Sequence, residues 1–312
     1  MSLTHFFETL FYRPRWKHWA IALLLLPLSL LYGTAMWLRR SSAERKVYPV
    51  PILSVGNLVI GGSGKTPFVI ALSRYFSDRR VAIVSRGYGR KSKGLMEVSR
   101  QGEVLMEVAR SGDEPMLMAR ALPDASVIVS EDRAAGIERA IEEGARLILL
   151  DDGFNRVEIE KFEILLEPAV LPNRLPLPSG PMREFFATRS QADLILREGV
   201  DFIRHVHYVD LGERMIFATA IADSERLKPY LPEGVMYQIY KPDHAVFSAE
   251  ELWGLLEKYD ADKILMTEKD WVKITDRRLP VALMKLELEL NDSIMLEIER
   301  WLLKRGKSES KT

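Results

Sequence analysis

The sequence predicts an α/β protein: a mostly parallel sheet domain containing a phosphate-binding loop, a second and smaller α/β domain, and an N-terminal membrane-associated helix. Three observations predict it. Short apolar runs alternate with helical patterns from about residue 50 onward, the rhythm of a parallel sheet covered by helices. Gly61-Gly62-Ser63-Gly64-Lys65-Thr66 follows one such run and opens a helix, and residues 19–38 carry no charge at all.

Trp19–Leu38 comes first in the chain. At 1.5 Å per residue a helix of that length covers about 30 Å, the hydrocarbon thickness of a bilayer. Arg13, Arg15 and Lys17 precede it, Arg39, Arg40, Arg45 and Lys46 follow, and Trp16, Trp19 and Trp37 mark its ends, the placement of an aromatic belt. A buried core helix or a cleaved signal peptide are the competing readings, but no small-x-small cleavage site follows. The expectation is a membrane anchor over residues 1–45, with spanning or in-leaflet placement open. Removing residues 1–45 is expected to weaken bilayer binding and leave the α/β core folded.

Pro49 and Pro51 open the next region. Strands are expected at Ile52–Val55, Val81–Ser85, Ser126–Ser130, Leu147–Leu150, Ile164–Leu166 and Leu194–Leu196, with helices around Thr66–Phe76, Pro115–Ala121 and Arg133–Glu143. Five prolines between Pro168 and Pro181 make that stretch a loop. Beyond residue 200 a weaker series follows: strands His205–Val209, Met215–Ala220, Val235–Tyr240, Lys263–Met266 and Val281–Leu290, and helices Ser248–Tyr259 and Asp292–Lys304. The expected organisation is therefore an anchor region 1–45, a nucleotide-binding domain 46–200 and a smaller domain 201–312.

Composition narrows the chemistry. The 312 residues include no cysteine, which removes disulfides, thiolate metal sites and a cysteine nucleophile. Lys+Arg and Asp+Glu balance at 44 each, yet residues 1–100 hold 16 basic against 4 acidic side chains. A basic N-terminal third suits anionic lipid or phosphate-bearing ligands. No zinc-finger, RNP-type or basic-zipper pattern supports nucleic acid as a partner.

In a phosphate-binding loop, glycines let backbone N–H groups turn inward around phosphate oxygens, and the helix N-terminus adds its dipole. Gly61, Gly62, Ser63, Gly64, Lys65 and Thr66 are the expected nucleotide contacts, with Lys65 on the β- and γ-phosphates and Thr66 on Mg²⁺. The first glycine of the strict pattern falls at Val59, a departure. Leu147-Ile148-Leu149-Leu150-Asp151-Asp152 is an apolar run ending in two carboxylates, placed where the strand ends of an open sheet hold ligands and where an acid can hold Mg²⁺. No Asn-Lys-x-Asp selects guanine, so ATP is favoured over GTP.

These residues resemble the lipid A 4′-kinase (tetraacyldisaccharide 4′-kinase) family, from about Pro49 to Leu290. The resemblance rests on Ser54-Val55-Gly56-Asn57 leading into Gly-Gly-Ser-Gly-Lys-Thr-Pro67, Ser85-Arg86-Gly87-Tyr88-Gly89-Arg90, Gly112-Asp113-Glu114-Pro115, and Glu131-Asp132-Arg133. It continues in Asp151-Asp152-Gly153-Phe154, Gly180-Pro181-Met182-Arg183-Glu184, Pro242-Asp243-His244, and Thr267-Glu268-Lys269-Asp270. It implies ATP- and Mg²⁺-dependent phosphorylation of the 4′-hydroxyl of a lipid A disaccharide precursor at the cytoplasmic face of a Gram-negative inner membrane, by two α/β domains that close over the nucleotide. It implies Asp113 and His244 as catalytic base and partner, beside Lys65, and Thr66, Asp151, Asp152 and Glu184 as Mg²⁺-associated positions. His244, expected on the second domain, would join Asp113 only on closure. Arg86, Tyr88, Arg90, Arg133 and Arg183 are the candidate substrate contacts. Asn155-Arg156 stand where the family has Gln-His.

Each residue also has a plainer reading. Asp113 could be an N-cap, His244 a surface histidine, and the Arg86–Lys93 loop a solvated turn. His205 and His207, two imidazoles without a third ligand, read as structural. Two further functions compete: a membrane-linked nucleotide switch without phosphoryl transfer to lipid, and a tyrosine kinase with a terminal tyrosine cluster, which the tyrosine-free tail Arg305–Thr312 disfavours.

Overall fold

A computed structural model describes residues 3–61, 64–221 and 224–309. It divides into two compact units, one made of residues 1–69, 147–203 and 290–312, the other of residues 70–146 and 204–289.

The first unit begins with helices α1 (Leu3–Tyr12) and α2 (Trp16–Ser41). Its sheet has four parallel strands in the order β6 (Leu147–Asp151), β1 (Ile52–Gly56), β7 (Phe162–Glu167), β8 (Leu194–Arg197). Ile52 pairs with Ile148, Leu53 with Phe162 and Ile164 with Leu194. β1 and β6 are buried at every residue, which is why they read as unbroken apolar runs instead of alternating ones. The C-terminal helix α9 (Asp292–Glu309) packs on this unit, with the Trp301 ring 5.2 Å from that of Phe162 and Arg305 donating to the Tyr48 carbonyl at 2.9 Å. The sequence places that helix with residues 201–312, and its buried Ile294, Met295, Ile298 and Leu302 mark it as a packed helix.

α2 docks through a narrow stripe. Ala22, Ser29, Gly33 and Arg40 are its buried residues. At 3.6 residues per turn they lie within about 20° of one line along the helix. Leu23, Leu24, Leu28, Leu31 and Leu38 lie on the opposite side and are exposed. The stripe meets the proline-rich loop. Ser29 Oγ lies 2.7 Å from Ser179 Oγ and accepts the Ser179 N–H at 2.9 Å, while Ser179 Oγ donates to the Ala22 carbonyl at 2.8 Å. A Cβ at Gly33 would fall 2.6 Å from the Phe185 ring. Residues 1–45, expected as a separable anchor, therefore also contact the body of the first unit.

The second unit holds a parallel pair, β2 (Val81–Ser85) and β5 (Ser126–Val129), extended by the antiparallel strands β3 (Met96–Arg100) and β4 (Glu103–Val104). The short helix α4 (Val108–Ser111) and α5 (Asp113–Ala121) lie between β4 and β5, and α6 (Arg133–Glu142) follows β5. The Asp132 side chain caps α6 by accepting the Ala134 and Ala135 N–H groups, and Gly136 lets that helix approach Val84. A second sheet runs in the order β11 (Val235–Tyr240), β10 (Met215–Thr219), β12 (Lys263–Thr267), β13 (Val281–Leu290), β9 (Phe202–Val209). Helix α7 (Ala249–Tyr259), capped by Ser248, buries Leu252 and Leu256 against Ile264 and Met266, and the short helix α8 (Glu268–Trp271) follows β12. His205 and His207 each face a glutamate, Glu289 and Glu287, on this sheet.

Candidate active site

In the first unit, the loop after β1 is fixed at its base. A Cβ at Gly56 would lie 2.4 Å from Phe154 Cβ, so the close approach of the two segments requires glycine. The Ile60 N–H donates to the Pro181 carbonyl at 3.0 Å, Val59 bridges Met182, and the Arg183 N–H donates to the Leu58 carbonyl at 2.7 Å. Val59, which breaks the strict motif, packs with Leu58, Phe154, Leu165 and Met182. An apolar side chain is used there as an anchor. Gly61 and Gly64 have φ of +98° and +75°, values that favour glycine. Gly62 and Ser63 lie outside the described residues. Helix α3 (Lys65–Tyr75) then begins, its N-terminus turned to the loop as an anion site requires.

Lys65 Nζ donates to Asn57 Oδ1 at 3.2 Å and lies 3.5 Å from Asp152 Oδ1. Arg183 Nη1 holds both oxygens of Asp152 at 3.1 and 3.0 Å. Burial alone would raise the Asp152 carboxyl; the charges of Lys65 and Arg183 outweigh it and hold the group below the usual carboxylate range. Asp152 is therefore an anion at neutral pH. Asp151 is buried at the end of β6, and Thr66 is buried in the first turn of α3. Hydroxyl and carboxylate oxygens are the donors Mg²⁺ takes, so Thr66, Asp151 and Asp152 fit that ion by chemistry. Glu184 does not. It is 3% exposed, and its two oxygens accept from Arg40 Nε at 2.7 Å and Nη2 at 2.8 Å. Among the described residues no group of three His, Asp or Glu is gathered as a metal site.

The second unit brings Asp113 and His244 together. His244 Nδ1 lies 3.0 Å from Asp113 Oδ2. The loop carrying His244 is held by its backbone N–H on the Ala220 carbonyl (3.2 Å), with φ of +63°. The pair is thus formed within one unit, where the sequence reading expects His244 to arrive on closure. Lys273 stands behind them: its Nζ is 2.9 Å from Asp270 Oδ1, 2.9 Å from the Ala245 carbonyl and 4.0 Å from Asp113 Oδ2. Asp270, fully buried, also accepts from Thr219 Oγ1, the Ala220 N–H and Thr267 Oγ1 at 2.6, 3.2 and 2.8 Å. One carboxylate therefore ties the end of β10 to the lysine beside Asp113. Sequence reasoning named Thr267–Asp270 as a motif and missed Lys273; its place three residues after Asp270 was the available signal. Lys269 is raised: burial opposes this, and the nearby Glu114 and Asp243 carboxylates outweigh it.

The expected substrate contacts separate into two sets. Arg86 and Tyr88 are exposed, the Tyr88 ring 5.9 Å from that of His244. Arg90 and Arg133 face inward, Arg90 on Glu131 at 2.6 Å and Arg133 on the Ser130 carbonyl, and Arg183 is held by Asp152. Internal partners occupy these three guanidinium groups.

A family model described as tetraacyldisaccharide-1-P 4′-kinase matches residues 21–209. The chain belongs to the tetraacyldisaccharide 4′-kinase family. It is 40% identical over 298 residues to the tetraacyldisaccharide 4′-kinase of Helicobacter acinonychis (strain Sheeba), which spans 95% of both chains. The same identity, length and coverage hold for the enzyme of Campylobacter jejuni (strain RM1221). Its fold matches a crystal structure of the family member LpxK from Aquifex aeolicus in complex with ATP, with a TM-score of 0.77 and 29% identity over 90% of this chain and 98% of that one.

Proposed function

We infer that this protein is an ATP-dependent kinase that phosphorylates the 4′-hydroxyl of a tetraacyldisaccharide 1-phosphate, a lipid A precursor. Full-length similarity to tetraacyldisaccharide 4′-kinases carries the reading, and Lys65 at the head of α3 beside Asp152 supports it. Nothing found in the comparisons favours the nucleotide switch.

Residues 46–200 supply the phosphate chemistry. Lys65 meets the charge that develops on the transferred phosphoryl group, and its Asn57 and Asp152 partners keep the ammonium in place. Thr66, Asp151 and Asp152 would hold Mg²⁺, which neutralises phosphate charge when bound. Residues 201–290 supply His244. A sugar hydroxyl is a weak nucleophile, so a carboxylate must accept its proton during transfer. Asp113 takes that role and His244 orients its carboxylate, with the Lys273 ammonium 4.0 Å from Asp113 Oδ2.

The exposed leucines of α2 face the membrane. α2 is the one described helix long and apolar enough to cross a bilayer. Its docked stripe runs from Ala22 to Arg40, about 27 Å at 1.5 Å per residue, so crossing would strip every contact of that face. The helix lies in one leaflet, its flanking Arg and Lys on anionic headgroups, at the cytoplasmic face of the inner membrane where ATP is present.

The test uses the full chain, ATP and the disaccharide lipid in mixed micelles. One ADP should appear per phosphorylated lipid, with the new phosphate at the 4′ position by phosphorus NMR. ADP release without lipid phosphorylation would return the switch.

A further inference from the structure

Arg40 sits near the end of the membrane-facing helix, far in sequence from the phosphate loop, and its side chain is 5% exposed. Its guanidinium makes three bonds: two to the Glu184 carboxylate, at 2.7 and 2.8 Å, and one from Nη2 to the Phe154 carbonyl at 3.0 Å. It also stacks on the Phe154 ring at 4.5 Å. One planar group therefore joins two chain segments, residues 152–154 and residues 183–184. Those segments carry Asp152 and Arg183, which bind each other and, through Asp152, reach Lys65. A second tie starts from α1, where the Tyr12 hydroxyl donates to the Ile60 carbonyl, immediately before Gly61.

We propose that Arg40 is a positioning residue for phosphoryl transfer, coupling the seating of the membrane helix to the placement of Lys65. The proposal rests on the reading of Lys65 and Asp152 as the phosphate site. Arg40 itself touches no reacting group. Its planar fork fixes the distance between the Glu184 carboxylate and the Phe154 carbonyl. That fixes how Asp152, two residues before Phe154, meets Arg183, the neighbour of Glu184. If the fork is lost, Glu184 is left as a buried carboxylate next in the chain to Arg183. Arg183 would then be drawn from Asp152, and Lys65 would lose the arrangement that holds it. The physical consequence is that a protein whose helix is seated on the body has an ordered lysine, and one whose helix is displaced does not.

The experiment uses the full-length protein in mixed micelles, comparing wild type, Arg40→Lys, Arg40→Met, Arg183→Ala, Arg40→Lys/Arg183→Ala and Lys65→Ala. Lysine keeps the charge opposite Glu184 but cannot span the two carboxylate oxygens and the carbonyl in one plane. Arg40→Lys should melt close to wild type and bind anionic vesicles equally, with kcat down at least 10-fold and the lipid KM within about threefold. The double variant should be little slower than Arg183→Ala alone, because both changes act through the Asp152–Arg183 contact. A purely structural role would instead leave folded Arg40→Lys within twofold of the wild-type kcat, or give multiplicative losses in the double variant, and either result overturns the proposal. Should Arg40→Met fail to fold, Arg40→Lys and the double variant decide alone. Lys65→Ala separates the two levels. If it retains activity, the phosphate-site reading fails; if it is inactive while both Arg40 variants are normal, only this inference fails.

Discussion

Gly33 offers a sharp test of whether α2 is seated on the protein or free in lipid. In a helix with no neighbour, Gly33→Ala stabilises by about 1 kcal/mol, because alanine loses less backbone entropy on folding. In the seated helix the new Cβ falls 2.6 Å from Cε1 and Cζ of Phe185 and 3.0 Å from Cε2. Carbon atoms need about 3.5–4.0 Å, so the ring or the helix must shift by roughly 1 Å. Overpacking of that size costs about 1–3 kcal/mol, which outweighs the propensity gain. The net expectation is a loss of about 1 kcal/mol. In the Phe185→Ala background the obstacle is gone, and Gly33→Ala should stabilise. The assay is urea unfolding of the four full-length proteins in one detergent, followed by far-UV circular dichroism, with the coupling energy taken from the cycle. Equal stabilisation by Gly33→Ala in both backgrounds would refute the seating of α2 on the body.

Deletion of residues 1–45 strands Glu184 without its guanidinium; losing one member of a buried ion pair costs about 3–5 kcal/mol, so the truncated protein should unfold at markedly lower urea, and a midpoint equal to wild type would contradict this. Asp113→Ala/His244→Ala should be little slower than Asp113→Ala alone, since the pair acts as a unit; kcat for both singles and the double, with ATP affinity as control, decides it. Glu97 links Arg100 and Arg139 at 2.5 and 2.6 Å; burial would raise its carboxyl, but hydrogen bonds from these arginines hold it below the ordinary range. Its contribution is then full above the unfolded value of about 4.3 and fades as pH falls through the lower folded value. Glu97→Gln should therefore lower the melting temperature more at pH 6 than at pH 3, and an equal drop at both would refute the assignment.

The central parallel strands were legible because burial on both faces forces unbroken apolar runs: Val81–Ser85, buried at every residue, ends where its pattern ends. The β3–β4 hairpin was missed because Met96–Arg100 mixes charge with apolar residues and is only partly buried. Helix α1 was missed because the long apolar run beginning at Trp19 drew attention past its short aromatic face of Phe6, Phe7 and Phe11. At the site, the loop and Asp151–Asp152 were visible as motifs, and the Asp113–His244 pair only through the family resemblance. Arg40 was not, since in sequence it is one of several cations flanking an apolar helix, and only the fold sets it on Glu184. Glu184 shows the converse: the family resemblance implies a Mg²⁺-associated position, and in the fold both of its oxygens are held by Arg40. Arg90 and Arg133, expected as substrate contacts, are held in the fold by Glu131 and the Ser130 carbonyl.

The kcat of Lys65→Ala tests the central claim most directly, because the account assigns to that one ammonium the positioned charge that the transferred phosphoryl group needs. With circular dichroism and melting temperature unchanged, kcat for lipid phosphorylation should fall by at least about 100-fold. A folded Lys65→Ala protein that keeps most of the wild-type kcat would contradict the assignment of the loop.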